Sequence, residues 1–303
     1  RDHRLHGLAD PHTHPVHHQP PGPVGSWRHC QSGRARIAHR AQPLKPGMAP
    51  EIERIRALGV TALVECSTGG VGRRPDLDYV VSGATGLPIV VPTGNYREPW
   101  IPEWVRRASQ DELRDWMLRE LTVEIDSAPF KAGWIKISAG DDGITGLETR
   151  ILRAAAQAGK ATNAVIGSHT IRGRVVMDQL DIIEEEGYSP DRFISIHTQE
   201  EPDFDMHLAV ARRGAWIEYD HIGRAEPEVV VGLILRALDA GLVNQLLLSH
   251  DRGWFDPAKP GGGVPMPYTV LSETIIPMLL KSGVDQATIV HLTHDNPFNA
   301  FAR

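Results

Sequence analysis

The chain has 303 residues, 41% hydrophobic and 23% charged, an ordinary globular composition and enough chain for one large α/β domain. A formal net charge of −6 argues against general binding to nucleic acid or anionic membrane, and no apolar run approaches the ~18–20 residues of a spanning helix. Cys30 and Cys66 are the only cysteines, so disulfides do not organise the fold and a reducing, cytoplasmic setting is expected, while the start at Arg1 leaves a trimmed leader open.

Strand-like apolar runs alternate with helical periodicity from end to end. Leu8-Ala9 leads into Asp10-Pro-His-Thr-His14, where alternation along an extended segment puts His12 and His14 on one side. His17 and His18, in the same cluster, read as fortuitous metal affinity. Residues 15–50 form a region of unclear structure, rich in Pro, Gly and His from Gln19 onward and read as a long loop. A helix over Pro50–Gly59, closed by its glycine, precedes a strand over Val60–Cys66. A short helix then leads to the strand Pro88–Val91, and an amphipathic helix over about Gln110–Ile125 leads to the strand Ala132–Ser138, which carries Lys136. Helices near Leu147–Ala158 and Arg174–Glu186 precede strands ending at His169 and His197. A helix around Asp205–Arg213, the strand Ala215–Tyr219 and a helix over Pro227–Ala240 lead to the last strand, Leu246–Asp251. A Gly/Pro-rich loop and a helix over about Tyr268–Lys281 follow.

Eight such units with buried-type strands and no linker predict a single domain over 1–303, a (β/α)8 TIM barrel. An open doubly wound sheet is the alternative. The barrel is preferred because candidate ligands follow the first, fourth, fifth, sixth and eighth strands, and only closure brings the first and last together.

His12, His14, Lys136, His169, His197 and Asp251 close these runs or sit just inside their ends. Imidazoles and carboxylates bind divalent cations in open, catalytic geometries. An ammonium does not, but a buried lysine loses its proton readily and its neutral amine can capture carbon dioxide as a bridging carbamate. A Schiff-base role or a snorkelling lysine are the other readings of Lys136, and the surrounding ligand set favours the carbamate. A strand-end histidine alone is more often structural. His250 points away from Asp251 by alternation and reads as a packing or supporting residue, and His291 and His294 read as structural. His221 stands between pocket residue and hydrogen-bonded support. Arg73 and Arg74 are within reach of an anionic substrate, although Arg73 reads more readily as a brace between loops. Trp100, Trp254 and Met266 fall on loops suited to an apolar pocket or to a dimer interface.

These motifs together resemble the phosphotriesterase-like family of the amidohydrolase superfamily, and within it the lactonases. The resemblance covers most of the chain. It rests on His12-Thr-His14, Gly133-Trp-Ile-Lys-Ile137, Ser168-His-Thr170, Ile196-His-Thr198 and Ser249-His-Asp251, with Ser67–Arg73, Gly143-Ile-Thr145 and Asn296-Pro297 in support. Thr93-Gly-Asn-Tyr96, Asp256–Pro260 and Thr274–Pro277 are similar to lactonase segments. The resemblance implies two divalent ions, zinc first, with cobalt, manganese or iron as alternatives. His12, His14 and Asp251 would hold the buried ion and His169 and His197 the outer one, with N6-carboxylated Lys136 bridging them. It implies a hydroxide held between the ions that opens a lactone ring, Asp251 accepting its proton and Tyr96 assisting at the carbonyl or ring oxygen. His221, Trp254, Trp100 and Arg73 become candidate pocket residues, and the expected assembly is a homodimer. Weak phosphotriester hydrolysis is the expected side activity. A dedicated phosphotriester or phosphorylated sugar-lactone hydrolase is the runner-up, and a ligand-binding barrel without chemistry a third reading. The sequence departs from the family pattern at Thr13, where glutamate is common, at His221, where many lactonases carry arginine, and over Pro15–Pro50.

Overall fold

A computed structural model describes residues 48–126, 128–253, 258–260, 263 and 266–303. The strands are β1 (Leu63–Val64), β2 (Ile89–Val90), β3 (Pro92–Thr93), β4 (Trp134–Ser138), β5 (Ile166–His169), β6 (Phe193–Ile196), β7 (Trp216–Tyr219) and β8 (Leu246–Leu248). All pairings are parallel: β1 with β2, and β3 through β8 in chain order. Parallel neighbours need a crossover, and helices supply it. These are α1 (Ala49–Ala57), α2 (Pro75–Thr85), α3 (Glu103–Arg107), α4 (Gln110–Thr122), α5 (Gly146–Thr162), α6 (Gly173–Glu185), α7 (Phe204–Arg212) and α8 (Pro227–Asp239), with α9 (Ile276–Lys281), α10 (Gln286–Val290) and α11 (Asn296–Phe301) closing the chain.

β2 and β3 are one barrel strand divided at Val91. Pro92 has no N–H to donate, and there the strand changes its ladder partner from β1 to β4. The expected strand over Val60–Cys66 pairs regularly only at Leu63–Val64, with Leu63 and Glu65 donating to Pro88 and Val90, because among the described residues it lies at the sheet's edge. Seven consecutive barrel strands are thus described. The expected first strand, with His12 and His14, lies outside the described residues. The architecture is that of a (β/α)8 TIM barrel. The expected helix over Tyr268–Lys281 begins as a π-helical turn, Leu271–Ile275, and becomes α-helical at Ile276. A second π turn, His291–Asp295, precedes α11. Both run directly into a proline-bearing helix start, Pro277 and Pro297, and a proline removes the i→i−4 donor that the preceding turn would need.

Two layers of core follow from strand alternation. The inward-facing set, Trp134, Val165, Ile194, Ile196, Trp216 and Leu247, forms one buried cluster that fills the barrel. The outward set, including Ile135, Ile166, Phe193, Ile217 and Leu246, packs against Leu113, Met117, Leu152, Leu180 and Ile234 of the helices. Lys136 shares the inward face with Trp134. Gly94, at φ +109°, lets the chain leave β3 against the Lys136 carbonyl, which an added Cβ would meet at 2.2 Å, and so sets the height of Tyr96.

Helix starts tie this frame to the loops at the strand ends. Ser109 with Glu112, and Thr145 with Glu148, form reciprocal capping boxes. Glu148 does more than cap. Its carboxylate, 3% exposed, also accepts the backbone N–H groups of Glu98 at 3.1 Å and Gly140 at 3.3 Å, joining the loops after β3 and β4. Thr145→Ala is expected to cost about 1 kcal/mol of unfolding free energy. Glu148→Ala, which strands several amides, should cost about 2–4 kcal/mol, read from denaturant midpoints. Equal losses for the two variants would show that the carboxylate acts only as a cap.

Candidate active site

Each strand delivers its polar residue at the same end of the sheet. His169 is the last residue of β5 and His197 follows β6 directly. His197 adopts a left-handed backbone, φ 66°, which breaks the strand at once into the turn Thr198–Glu200. Its Nε2 lies 2.6 Å from His169 Nδ1, with ring centroids 4.2 Å apart. Asp220, the residue after β7, accepts the His197 backbone N–H at 2.9 Å and pairs with its Nδ1 at 2.8 Å. Gln199 donates to Asp220 Oδ1 at 2.7 Å and accepts the Asp220 N–H at 3.1 Å. Burial works against the Asp220 charge, but the charge and hydrogen bonds of His197, with Gln199, outweigh it and hold the carboxyl below its usual range. An ionised Asp220 only accepts, so His197 Nδ1 is the donor in that pair and Nε2 is the nitrogen turned towards His169. The Tyr96 hydroxyl reaches both ring nitrogens of His169, at 3.1 and 3.2 Å.

Lys136 is 4% exposed on β4, with Nζ 6.0 Å from the Trp134 ring centroid. No hydrogen bond or ion pair to its Nζ is formed among the described residues. Glu218 shares the interior. Burial first, then the charges of Asp220 and Asp251, push its carboxyl up to about 8 against the opposing pull of Lys136. Asp251 follows β8 with φ 45° and is engaged by Arg224, whose Nη2 donates to its Oδ2 at 2.8 Å and to its backbone carbonyl at 2.5 Å. The structure therefore brings His169, His197 and Tyr96 together, buries Lys136 and gives Asp251 to Arg224. Among the described residues no group of three or more His, Cys, Asp or Glu is close enough to hold an ion alone.

The surrounding residues divide by partner. His221 pairs through Nδ1 with Glu200 at 2.6 Å, which raises the imidazole and lowers the carboxyl from their ordinary values. Trp100 meets the Tyr96 ring edge-on at 5.8 Å, and the Arg97 guanidinium lies 5.9 Å from both rings. Arg73 pairs with buried Glu120 at 2.8 Å and Asp126 at 3.5 Å, the geometry of a loop brace. Trp254 lies outside the described residues. Asp220, Gln199, Glu200 and Arg224 were not singled out from the sequence. Asp220 carries the signal that picked the others, since it directly follows the strand Ala215–Tyr219.

The donor set fits a divalent ion. One His197 nitrogen is fixed by a carboxylate while Nε2 faces His169, and a buried lysine with no acid partner among the described residues stands on the neighbouring inward face. His12 and His14 belong to the residues not described.

His250 makes the separate contact that alternation implies, accepting the Leu271 N–H through Nε2 at 3.0 Å. Burial, with Arg252 nearby, pulls its pKa down to about 4. The unfolded imidazole binds a proton near pH 6.5, so the folded state excludes a proton that the unfolded chain takes up. This contribution is fully present above about pH 6.5 and is lost as pH falls towards 4, by at most about 3 kcal/mol. Urea titrations at pH 7.5 and 5 should show that slope in the parent and a flatter one in His250→Gln; identical slopes would refute it.

The sequence model of the phosphotriesterase family matches residues 39–301. The phosphotriesterase homology protein of Escherichia coli is 31% identical over 255 residues, covering 83% of this chain and 87% of that protein. The aryldialkylphosphatase of Saccharolobus solfataricus is 28% identical over 263 residues, covering 83% and 84%. A solved structure described as engineering of organophosphate hydrolysis from a weak promiscuous lactonase template superimposes with a TM-score of 0.77 at 28% identity, over 84% of this chain and 85% of that one. A match across nearly the whole barrel, at this identity, makes the chain a hydrolase belonging to the phosphotriesterase family.

Proposed function

We propose that this hydrolase carries a binuclear metal centre and opens lactone rings. The observation that carries the reading is the cluster of Tyr96, His169 and His197, with Lys136 buried on the neighbouring strand and free of any acid partner among the described residues. His12, His14 and Asp251 would hold one ion, His169 and His197 the other, and N6-carboxylated Lys136 both. Two divalent cations, zinc first and cobalt, manganese or iron as alternatives, supply a water of lowered pKa and polarisation of the carbonyl oxygen.

The protein's own groups do the rest. Asp220 fixes the His197 ring and tautomer, so its Nε2 points where a ligand is needed. Asp251 Oδ1, without a hydrogen bond among the described residues, takes the proton of the attacking water and returns it to the departing alkoxide. The Tyr96 hydroxyl, a hydrogen-bond length from His169, donates to the carbonyl or ring oxygen. Trp100, packed edge-on to Tyr96, and the His221–Glu200 pair would border the substrate. The relative described as a weak promiscuous lactonase template engineered for organophosphate hydrolysis supports the lactone reading, and the name aryldialkylphosphatase supports phosphotriester hydrolysis beside it. The same reading takes the chain as one domain and a cytoplasmic homodimer. Support comes from a family match unbroken over residues 39–301, a free Cys66 and exposed apolar Trp104 and Tyr79.

Elemental analysis should find about two divalent ions per chain, and chelation should abolish turnover that added metal restores. Lys136→Met should lose metal and at least ~100-fold in kcat, and Asp251→Asn ~100- to 10,000-fold. Rates measured side by side on lactones, phosphorylated sugar lactones and a paraoxon-like triester decide the substrate. A preference for either phosphorus-bearing class would replace the lactone reading, and full turnover in Asp251→Asn would end it.

A further inference from the structure

Asp251 is held in an arrangement that its own sequence does not favour. It is an L-residue at φ 45°, in the left-handed region, three positions beyond the end of β8. Such a backbone persists only where its surroundings over-determine it. Among the described residues one group does so. Arg224, on the loop after β7, directs the same Nη2 to the Asp251 main-chain carbonyl at 2.5 Å and to its Oδ2 at 2.8 Å. A donor that bridges the carbonyl and carboxylate of one residue fixes its backbone and side chain together. The two side chains are 22% and 24% exposed, so this is not a solvent-spanning surface pair of negligible strength. Oδ1 is left without a hydrogen bond among the described residues.

We propose that Arg224 is the positioning residue of the site: by clamping the Asp251 carbonyl and Oδ2 it holds the left-handed turn after β8 and presents Oδ1 as the working oxygen. The inference rests on the reading of Asp251 as ligand and proton acceptor given above. It assigns Arg224 no contact with substrate. A carboxylate with one oxygen on a guanidinium and the other on a cation is pre-oriented, and outer partners of this kind alter metal affinity by about 10- to 100-fold. Because the clamp joins the loops after β7 and β8, it also couples the position of His221, three residues earlier, to that of Asp251.

Arg224→Met keeps the aliphatic volume and removes the donors; Arg224→Lys restores a charge with poorer reach. Three readouts are taken on the full chain: zinc affinity by competition with a chelator, kcat and KM on the best lactone, and hydrogen exchange of the Arg252 and Gly253 amides in metal-free protein. Arg224→Met should bind zinc about 10- to 100-fold more weakly, lose kcat by a similar factor with KM little changed, and exchange those amides faster without zinc; Arg224→Lys should recover part of each. Unchanged zinc affinity and unchanged exchange in Arg224→Met overturn the proposal. So does a rise in KM alone, which would make Arg224 a substrate contact. A variant that fails to fold is replaced by Arg224→Gln, judged on the same exchange experiment. Failure of the underlying reading looks different: parent protein that binds no zinc, or Asp251→Asn with full turnover, while the exchange difference persists.

Discussion

The site depends on one constraint, the shared parallel register of β3 through β8. Ser138 lies beside His169 and His169 beside Ile196, so His197 falls one step beyond its neighbour's last residue. Tyr219 pairs with Leu248, which brings Asp220 and Ser249 to the same level. A one-residue slip would turn every inward side chain outward and remove the whole constellation at once. What fixes the register is apolar. Trp134, Ile194, Ile196, Trp216 and Leu247 fill the interior below the polar layer, and Gly167 leaves room for two of them, since a Cβ there would meet Trp134 at 2.6 Å and Ile196 at 2.9 Å.

The polar layer above that plug is costly to fold. Lys136 is almost fully buried, Glu218 is driven towards its neutral form, and Asp220 keeps its charge only because His197 and Gln199 surround it. Left-handed backbones at His197 and Asp251 add strain at two of the positions where chemistry is expected. Such a layer is stable only if the frame beneath it is rigid and its loops are tied. Glu148 ties two loops through buried amides and Arg73 ties the loop after β1 to α4. Polar residues that reduce stability thus sit at the strand ends, while those that increase it stand one layer outward.

Much of this was legible in the sequence, and the reasons differ by element. Amphipathic helices such as α5 and α6 bury one face along many residues, so their periodicity survives in the chain and both start within one residue of expectation. The short helices α3, α10 and α11 carry too few residues for a period to show, and the π turns before Pro277 and Pro297 come from backbone hydrogen bonding that side-chain patterns do not encode. In the site, ligand-type side chains at strand ends pointed to His169, His197 and Asp251. Asp220 obeys the same rule, but in Tyr219-Asp220-His221 the adjacent histidine carries the stronger ligand signal. Gln199 and Arg224 carry no sequence signal, because their roles come only from which loop meets which in space.

The pairing of supports explains how one barrel holds two kinds of donor in place. His197 is fixed by a carboxylate from the next strand, which holds its Nδ1 and leaves Nε2 facing His169. Asp251 is fixed by a guanidinium from the loop after that same strand, which holds its carbonyl and carboxylate in one orientation. Both supports therefore issue from the end of β7, at Asp220 and Arg224, within five residues of each other. One support is anionic and the other cationic. β7 contributes no expected ligand of its own. Its end is the place from which the neighbouring strands' ligands are oriented, so a change in the conformation of residues 220–224 would reach His197 on one side and Asp251 on the other without touching either directly.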